Sequence, residues 1–212
     1  MRMTKLGHSC VRLERDGRTI VLDPGVWSGA DPLAGASAVL ITHEHADHID
    51  APIVRSALER DAALELWTTD AVAGQFADLG TRVHAVGHGD AFGAAGFDVR
   101  VYGRDHAQIH PDIPVVPNIG FALDGKVFHP GDSFTVPGEP VEVLLLPVSA
   151  PWLKASETFG YARAVKPKMS YAIHDEILNA NGVGLIGHLA EALLGGDSGG
   201  YARLEPGSSV DI

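Results

Sequence analysis

Cysteine is nearly absent from this chain: one, Cys10, stands among 212 residues. A single thiol excludes an internal disulfide and a cysteine-ligated zinc cluster, so a transition metal would have to be held by histidine or carboxylate. Positive charge is scarce too. Lysine and arginine number 16 against 27 aspartates and glutamates, a formal net charge of −11. Nucleic-acid binding rests mainly on Lys and Arg neutralising phosphates, so no nucleic-acid partner is expected. Long apolar runs are missing. Nothing approaches the roughly 20 residues of a membrane span, so no membrane partner is expected. The opening Met-Arg-Met-Thr-Lys-Leu-Gly-His has no apolar stretch behind its charges, unlike a secretion signal, and the expected location is cytoplasmic. Homo-oligomerisation stays open.

What is present reads as an ordinary globular α/β chain of a length that suits one domain. Short strand patterns at Ser9–Glu14 and Thr19–Leu22 flank Asp16-Gly17, a hairpin signal. A second pair, Ile119–Leu123 and Lys126–His129, flanks Asp124-Gly125. Further strands are expected at Ala38–Thr42, Leu64–Thr68, Val83–Val86, Phe97–Tyr102, Val141–Val148, Met169–Ile173 and, as an edge, Tyr201–Leu204. Helices are expected through Arg60 with Asp50 as N-cap and Pro52 in the first turn, up to Leu79 with Asp70 as its cap, from about Lys154 to Val165 and from Gly184 to Leu194. Strands then helix, repeated once, suits two sheets packed face to face with helices outside, a four-layer α/β/β/α sandwich.

The chemistry concentrates in His43-Glu44-His45-Ala46-Asp47-His48, directly after the apolar strand Val39–Thr42. Two imidazoles at i and i+2 on extended chain point the same way and can bind one cation together. The following turn swings Asp47 and His48 toward a neighbouring position. Zinc, manganese and iron all accept such nitrogen and oxygen ligands. Strand ends are also where α/β proteins place their sites.

His-X-His-X-Asp-His after a hydrophobic strand resembles the signature of the metallo-β-lactamase superfamily, and downstream pieces follow in the family's order. His106, in Gly103-Arg104-Asp105-His106, resembles the third-motif histidine, with His110 as its rival. Asp132, in Pro130-Gly131-Asp132, matches the motif that supplies a bridging aspartate. His174, after Tyr171-Ala172-Ile173, matches the terminal histidine. The resemblance implies the metallo-β-lactamase fold over residues 1–212, with two divalent metal ions, zinc in the first place and manganese or iron as alternatives. His43, His45 and His106 would hold the first ion, Asp47, His48 and His174 the second, and Asp132 would bridge them. Gly-His-Ser, Leu-Asp-Pro and Pro-Gly-Asp-Ser narrow the likeness to small metal-dependent hydrolases related to L-ascorbate-6-phosphate lactonase.

The reaction so implied is hydrolysis of a small-molecule ester, lactone or phosphodiester by metal-activated hydroxide, with Asp47 and His174 in catalytic roles. Two other readings stand beside it: a mono-iron, dioxygenase-like oxidoreductase, and a metal-binding protein without catalysis. Around the ligands, Asp23 is a candidate to fix a ligand histidine's tautomer. His8, His110 and His129 are candidates to line the site or touch substrate. Trp27 and Trp152, with Lys154, are candidates for an aromatic wall and a cation, against the alternative of core tryptophans and a surface lysine.

Overall fold

A computed structural model describes all 212 residues. Strands β1 (Arg2–Lys5), β2 (Val11–Arg15), β3 (Arg18–Leu22), β4 (Ala38–Leu40), β5 (Glu65–Thr68) and β6 (Val83–Ala85) build the first sheet. The second sheet holds β7 (Ala91–Ala94), β8 (Phe97–Tyr102), β9 (Gly120–Leu123), β10 (Val127–His129), β11 (Val143–Pro147), β12 (Met169–Ile173) and β13 (Gly200–Ala202). The last strand, β14 (Ser209–Asp211), returns to the first sheet beside β1. The spatial orders are β14-β1-β2-β3-β4-β5-β6 and β13-β12-β11-β10-β9-β8-β7. Each sheet is antiparallel on one side and parallel on the other: β3 to β6 run parallel in the first, β10 to β13 in the second.

Alternation along each strand explains the layering. Leu13, Ile20, Leu22 and Leu40 meet Val99, Phe121, Leu145 and Ile173 in the core between the sheets. Val21, Val39 and Ile41 point the other way, under helix α1 (Ala51–Arg60) with its Val54 and Leu58. Leu144 and Leu146 pack outward against Phe159 of α3 (Ala155–Val165) and Ile186 of α4 (Ala180–Leu193) once α2 (Asp70–Ala73) has been passed on the first face. Each fully buried aliphatic of this kind contributes roughly 1.5–3 kcal/mol of transfer free energy. The result is the expected helix–sheet–sheet–helix sandwich. No helix is long and apolar enough to cross a membrane.

Several local expectations change. Thr69, not Asp70, caps the second helix, its side chain accepting from Val72 N at 3.4 Å. That helix lasts one turn before a 3₁₀ stretch, Gly74–Arg82, interrupted by Phe76 at φ −122° and Gly80 at φ +69°. The last helix starts earlier than expected because the Asn179 side chain accepts from Gly182 N, which offsets the poor helix propensity of three early glycines. Strands β1, β7 and β14 had no expectation. β7 reads Ala-Phe-Gly-Ala, a weak strand former, and β1 with β14 pairs the two ends of the chain.

Candidate metal centre

The site collects residues from the C-terminal ends of parallel strands in both sheets. Asp23 follows β3, the His43–His48 loop follows β4, Asp132 follows β10, Trp152 follows β11, and His174 follows β12. His106 arrives from the loop after β8, and His8 from the loop after β1. Two backbone features make the delivery possible. Asp23 and His174 both hold left-handed conformations, φ +46° and +61°, each a strain of about 1 kcal/mol or more that surrounding contacts must offset. Gly25 lets the loop after β3 lie flat on the histidine loop, with Val26 N donating to Ala46 O at 2.8 Å. A Cβ on Gly25 would fall 2.0 Å from Asp47 O.

Three ligand-type groupings interlock: His43, His45 and His106; His43, His48 and Asp132; and His8, Asp47 and His174, with donor atoms inside each group within 4.8 Å of one another. His43 Nε2 lies 3.2 Å from His45 Nδ1. Asp132 sits at the middle: Oδ1 is 3.0 Å from His48 Nε2, while Oδ2 is 3.2 Å from His106 Nε2 and 3.1 Å from His174 Nε2. Asp47 Oδ2 faces the same space, 3.2 Å from His174 Nε2 and 3.8 Å from His48 Nε2. All seven sequence candidates for ligands are therefore at one place. His110 is not among them. It is exposed, accepts from Asp112 N at 3.2 Å and faces the Asp112 carboxylate at 3.6 Å, so His106 alone of the two reaches the cluster.

The surroundings hold these side chains by their far ends. Asp23, fully buried, accepts from Thr42 N at 2.8 Å and Thr42 Oγ1 at 2.7 Å, and its Oδ2 lies 2.6 Å from His48 Nδ1. Thr42 Oγ1, its proton committed to Asp23, is 3.0 Å from His43 Nδ1 and accepts from it. His106 Nδ1 meets Ala107 O at 2.5 Å, and His174 Nδ1 meets Ser149 O at 2.6 Å. Asn118 secures the Asp132 turn, accepting from Asp132 N and donating to Pro130 O. His129, buried, accepts from Gly131 N through Nδ1 and so presents Nε2–H to Ser9 O at 3.1 Å, tying the Asp132 loop to the His8 loop. Trp152 is turned inward, not out as an open wall: its Nε1 donates to Asp132 Oδ2 at 3.0 Å. Trp27 is half exposed and meets the His8 ring edge-on at 4.7 Å. Lys154 lies on the surface beside Glu157.

Electrostatics follow from burying histidines among two carboxylates. Burial disfavours charge on His48 and His174, but Asp132 with Asp23, and Asp132 with Asp47, outweigh it, lifting His48 well above the usual range and His174 to about 9. The same contacts hold Asp132 and Asp47 far below ordinary carboxylates, against the upward push of burial. Burial, then neighbouring histidines, pushes His43 and His45 down. The donor set also passes a test for cation binding. The buried atoms His48 Nε2, His106 Nε2, His174 Nε2 and Asp132 Oδ1 have no hydrogen-bond partner. Each such atom costs about 1–3 kcal/mol if left unmatched, and all four converge on one space.

Sequence reading missed Thr42, Asn118 and a buried anchor beneath His174. There Asp175 receives Lys5 Nζ at 2.6 Å and Arg203 Nε at 2.6 Å. Thr42 carried a signal, standing directly before the motif; the partners of Asp175 come from opposite ends of the chain and carried none.

Comparison with known proteins gives a consistent grouping. The family model described as "Beta-lactamase superfamily domain" matches residues 2–174. Protein Rv0786c of Mycobacterium tuberculosis is 40% identical over 198 residues, covering 90% of this chain and 92% of its own. A UPF0173 metal-dependent hydrolase of Chelativorans is 26% identical over 152 residues, 63% of each chain. Among solved structures, Igni18, a novel metallo hydrolase from Ignicoccus hospitalis, superposes with TM-score 0.76 at 20% identity, covering 99% of this chain and 97% of its own.

Proposed function

The chain belongs to the beta-lactamase superfamily, and on that footing we propose that it is a metal-dependent hydrolase of small esters, lactones or phosphodiesters, working with two divalent metal ions. The observation that carries the proposal is the convergence of unpartnered buried nitrogen and oxygen atoms from His48, His106, His174 and Asp132. His43, His45 and His106 would hold one ion, and Asp47, His48 and His174 the other, with Asp132 between them. The nitrogen and oxygen donors suit zinc first, and also manganese or iron. Such ions supply Lewis acidity, lowering the pKa of water and stabilising negative charge on oxygen.

The chain's own groups do the positioning. Nδ1 contacts with Thr42, Asp23, Ala107 and Ser149 turn Nε2 of His43, His48, His106 and His174 inward, where each would offer its lone pair to a metal ion once any proton on it is displaced. Asp47, held far below the carboxylate range, is suited to orient an attacking water rather than to keep its proton. Trp27 offers an apolar lip beside His8 for a ring or acyl portion of substrate. The hydrolase name of the Chelativorans relative supports the reaction class.

The test pairs metal analysis by mass spectrometry, on protein purified without added metal, with turnover of p-nitrophenyl butyrate, dihydrocoumarin and bis-p-nitrophenyl phosphate. About two zinc or manganese ions per chain and turnover of at least one probe are expected. Both should be reduced in a folded His45→Ala variant. One iron with oxygen uptake and no hydrolysis, or stoichiometric metal with no turnover of any probe, overturns the proposal.

A further inference from the structure

His8 differs from four other histidines at the centre in what its outward Nδ1 meets: theirs faces an acceptor, its own faces a donor. His43, His48, His106 and His174 each direct Nδ1 at an acceptor, namely Thr42 Oγ1, Asp23 Oδ2, Ala107 O and Ser149 O. Metal ligation requires a neutral imidazole with one hydrogen, so in the zinc-loaded protein these four would bear it on Nδ1 and turn a bare Nε2 inward. His8 is the reverse. Its Nδ1 accepts the backbone N–H of Glu176 at 3.3 Å. A hydrogen on Nδ1 would collide with that N–H, so the imidazole is neutral and its one hydrogen sits on Nε2.

That Nε2–H is buried, has no hydrogen-bond partner, and stands 3.4 Å from Asp47 Oδ2 in the same space as the ligand atoms. The ring is locked. Its backbone carbonyl accepts from His174 N at 2.9 Å, its face lies 4.0 Å from the His174 ring at a tilt, and Trp27 closes its outer side. A nitrogen that carries hydrogen offers no lone pair to a cation, so His8 does not join Asp47 and His174 as a ligand despite its distance from them.

Resting on the hydrolase reading, we propose that His8 is a further catalytic residue, whose Nε2–H donates a hydrogen bond to the substrate oxygen that gains negative charge during attack. The donor keeps its proton throughout. Glu176 N–H fixes the tautomer, so the dipole is aimed before substrate arrives and needs no reorganisation as charge develops.

The experiment combines a tautomer measurement with kinetics on the zinc-loaded protein. Long-range ¹H–¹⁵N spectra of ¹⁵N-histidine-labelled protein should show hydrogen on Nε2 of His8 and on Nδ1 of His43, His48, His106 and His174. His8→Ala should retain the zinc content of wild type, lose about 10²–10³-fold in kcat on whichever chromogenic probe is turned over, and change KM little. His8→Gln, which keeps an N–H donor of similar reach, should recover part of the loss and guards against a fold defect in the alanine variant. A bare Nε2 on His8, or loss of one zinc in both variants, makes His8 a ligand and overturns the proposal. Wild-type kcat in His8→Ala makes it structural and overturns it too. Absence of wild-type turnover sinks the hydrolase reading and with it the catalytic role, whereas the spectra separately report whether the tautomer assignment holds.

Discussion

The indole of Trp152 donates to the carboxylate of Asp132, Nε1 to Oδ2 at 3.0 Å, on the oxygen that also faces His106 and His174. A side chain 20 residues away thereby fixes the rotation of the central carboxylate. Trp152→Phe keeps the aromatic packing against Phe134 but removes the donor. Metal affinity should fall about 10–100-fold in a competition titration with a chromogenic chelator, with little change in Tm. Unchanged affinity would mean that the histidines alone orient Asp132.

Asp23 acts on His48 from the opposite side. Asp23→Asn preserves size, and one amide oxygen can still accept from Thr42 N. The amide NH₂ then faces Thr42 Oγ1 and His48 Nδ1, where a carboxylate oxygen accepted. His48 should shift its hydrogen to Nε2, removing the lone pair directed at the centre. A loss of about 1–3 kcal/mol in urea unfolding of the metal-free protein is expected, together with at least tenfold weaker metal binding. Wild-type binding in this variant would show that His48 keeps its tautomer without Asp23.

The pH response of the metal-free protein has a defined sign on the alkaline side. His174 retains its proton in the folded state up to about 9, against 6.5 when exposed, because Asp132 and Asp47 outweigh burial. Between those values His174 binds more protons in the folded chain than in the unfolded one, so its contribution to stability is complete below about 6.5 and declines as pH rises toward 9. The span corresponds to roughly 3 kcal/mol. His48, also raised, acts in the same direction. Thermal melts in the presence of a chelator should show Tm falling over this window. Metal must displace these protons, so calorimetry in buffers of different ionisation enthalpy should record proton release on zinc binding at pH 7.5. A flat Tm and no proton release would contradict the charge assignment.

Gly25 tests how tightly the two loops must meet. A methyl there would overlap the backbone of Asp47, which cannot yield as a flexible side chain would. Gly25→Ala should cost about 1–3 kcal/mol in stability and weaken metal binding by displacing Asp47. Gly17→Ala, at a hairpin turn where a Cβ meets nothing within 4 Å, should leave metal binding untouched. Equal effects on metal affinity would indicate a general loss of folding rather than a local shift.

Much of this arrangement was legible in the chain because its signals are local. The Asp16-Gly17 and Asp124-Gly125 hairpins, the Asp50 cap and the apolar run before His43 each depend on neighbours within a few residues. Strand–turn chemistry and period-two alternation survive into the fold because each strand has one face toward the shared core and one toward a helix. The failures are equally physical. β1 and β14 are short and polar, and become strands only by pairing across a separation of about 200 residues. β7 is held by its pairing with β8, not by its own preference.

The sequence by itself determined which residue types gather: histidine and aspartate in a six-residue cluster, a later Gly-Asp, and single histidines at strand ends, with only one thiol, Cys10, in the chain. Only the tertiary structure decided their roles. It chose His106 over His110, because one follows the chain inward and the other faces solvent. It turned Trp152 from a wall into a donor, since a buried N–H requires an acceptor and Asp132 lies in reach. It also set each imidazole's hydrogen, through contacts such as Glu176 N to His8 that join residues 168 apart. A tautomer is decided by what the outward nitrogen touches, and that is a property of packed surfaces, invisible to any pattern along the chain.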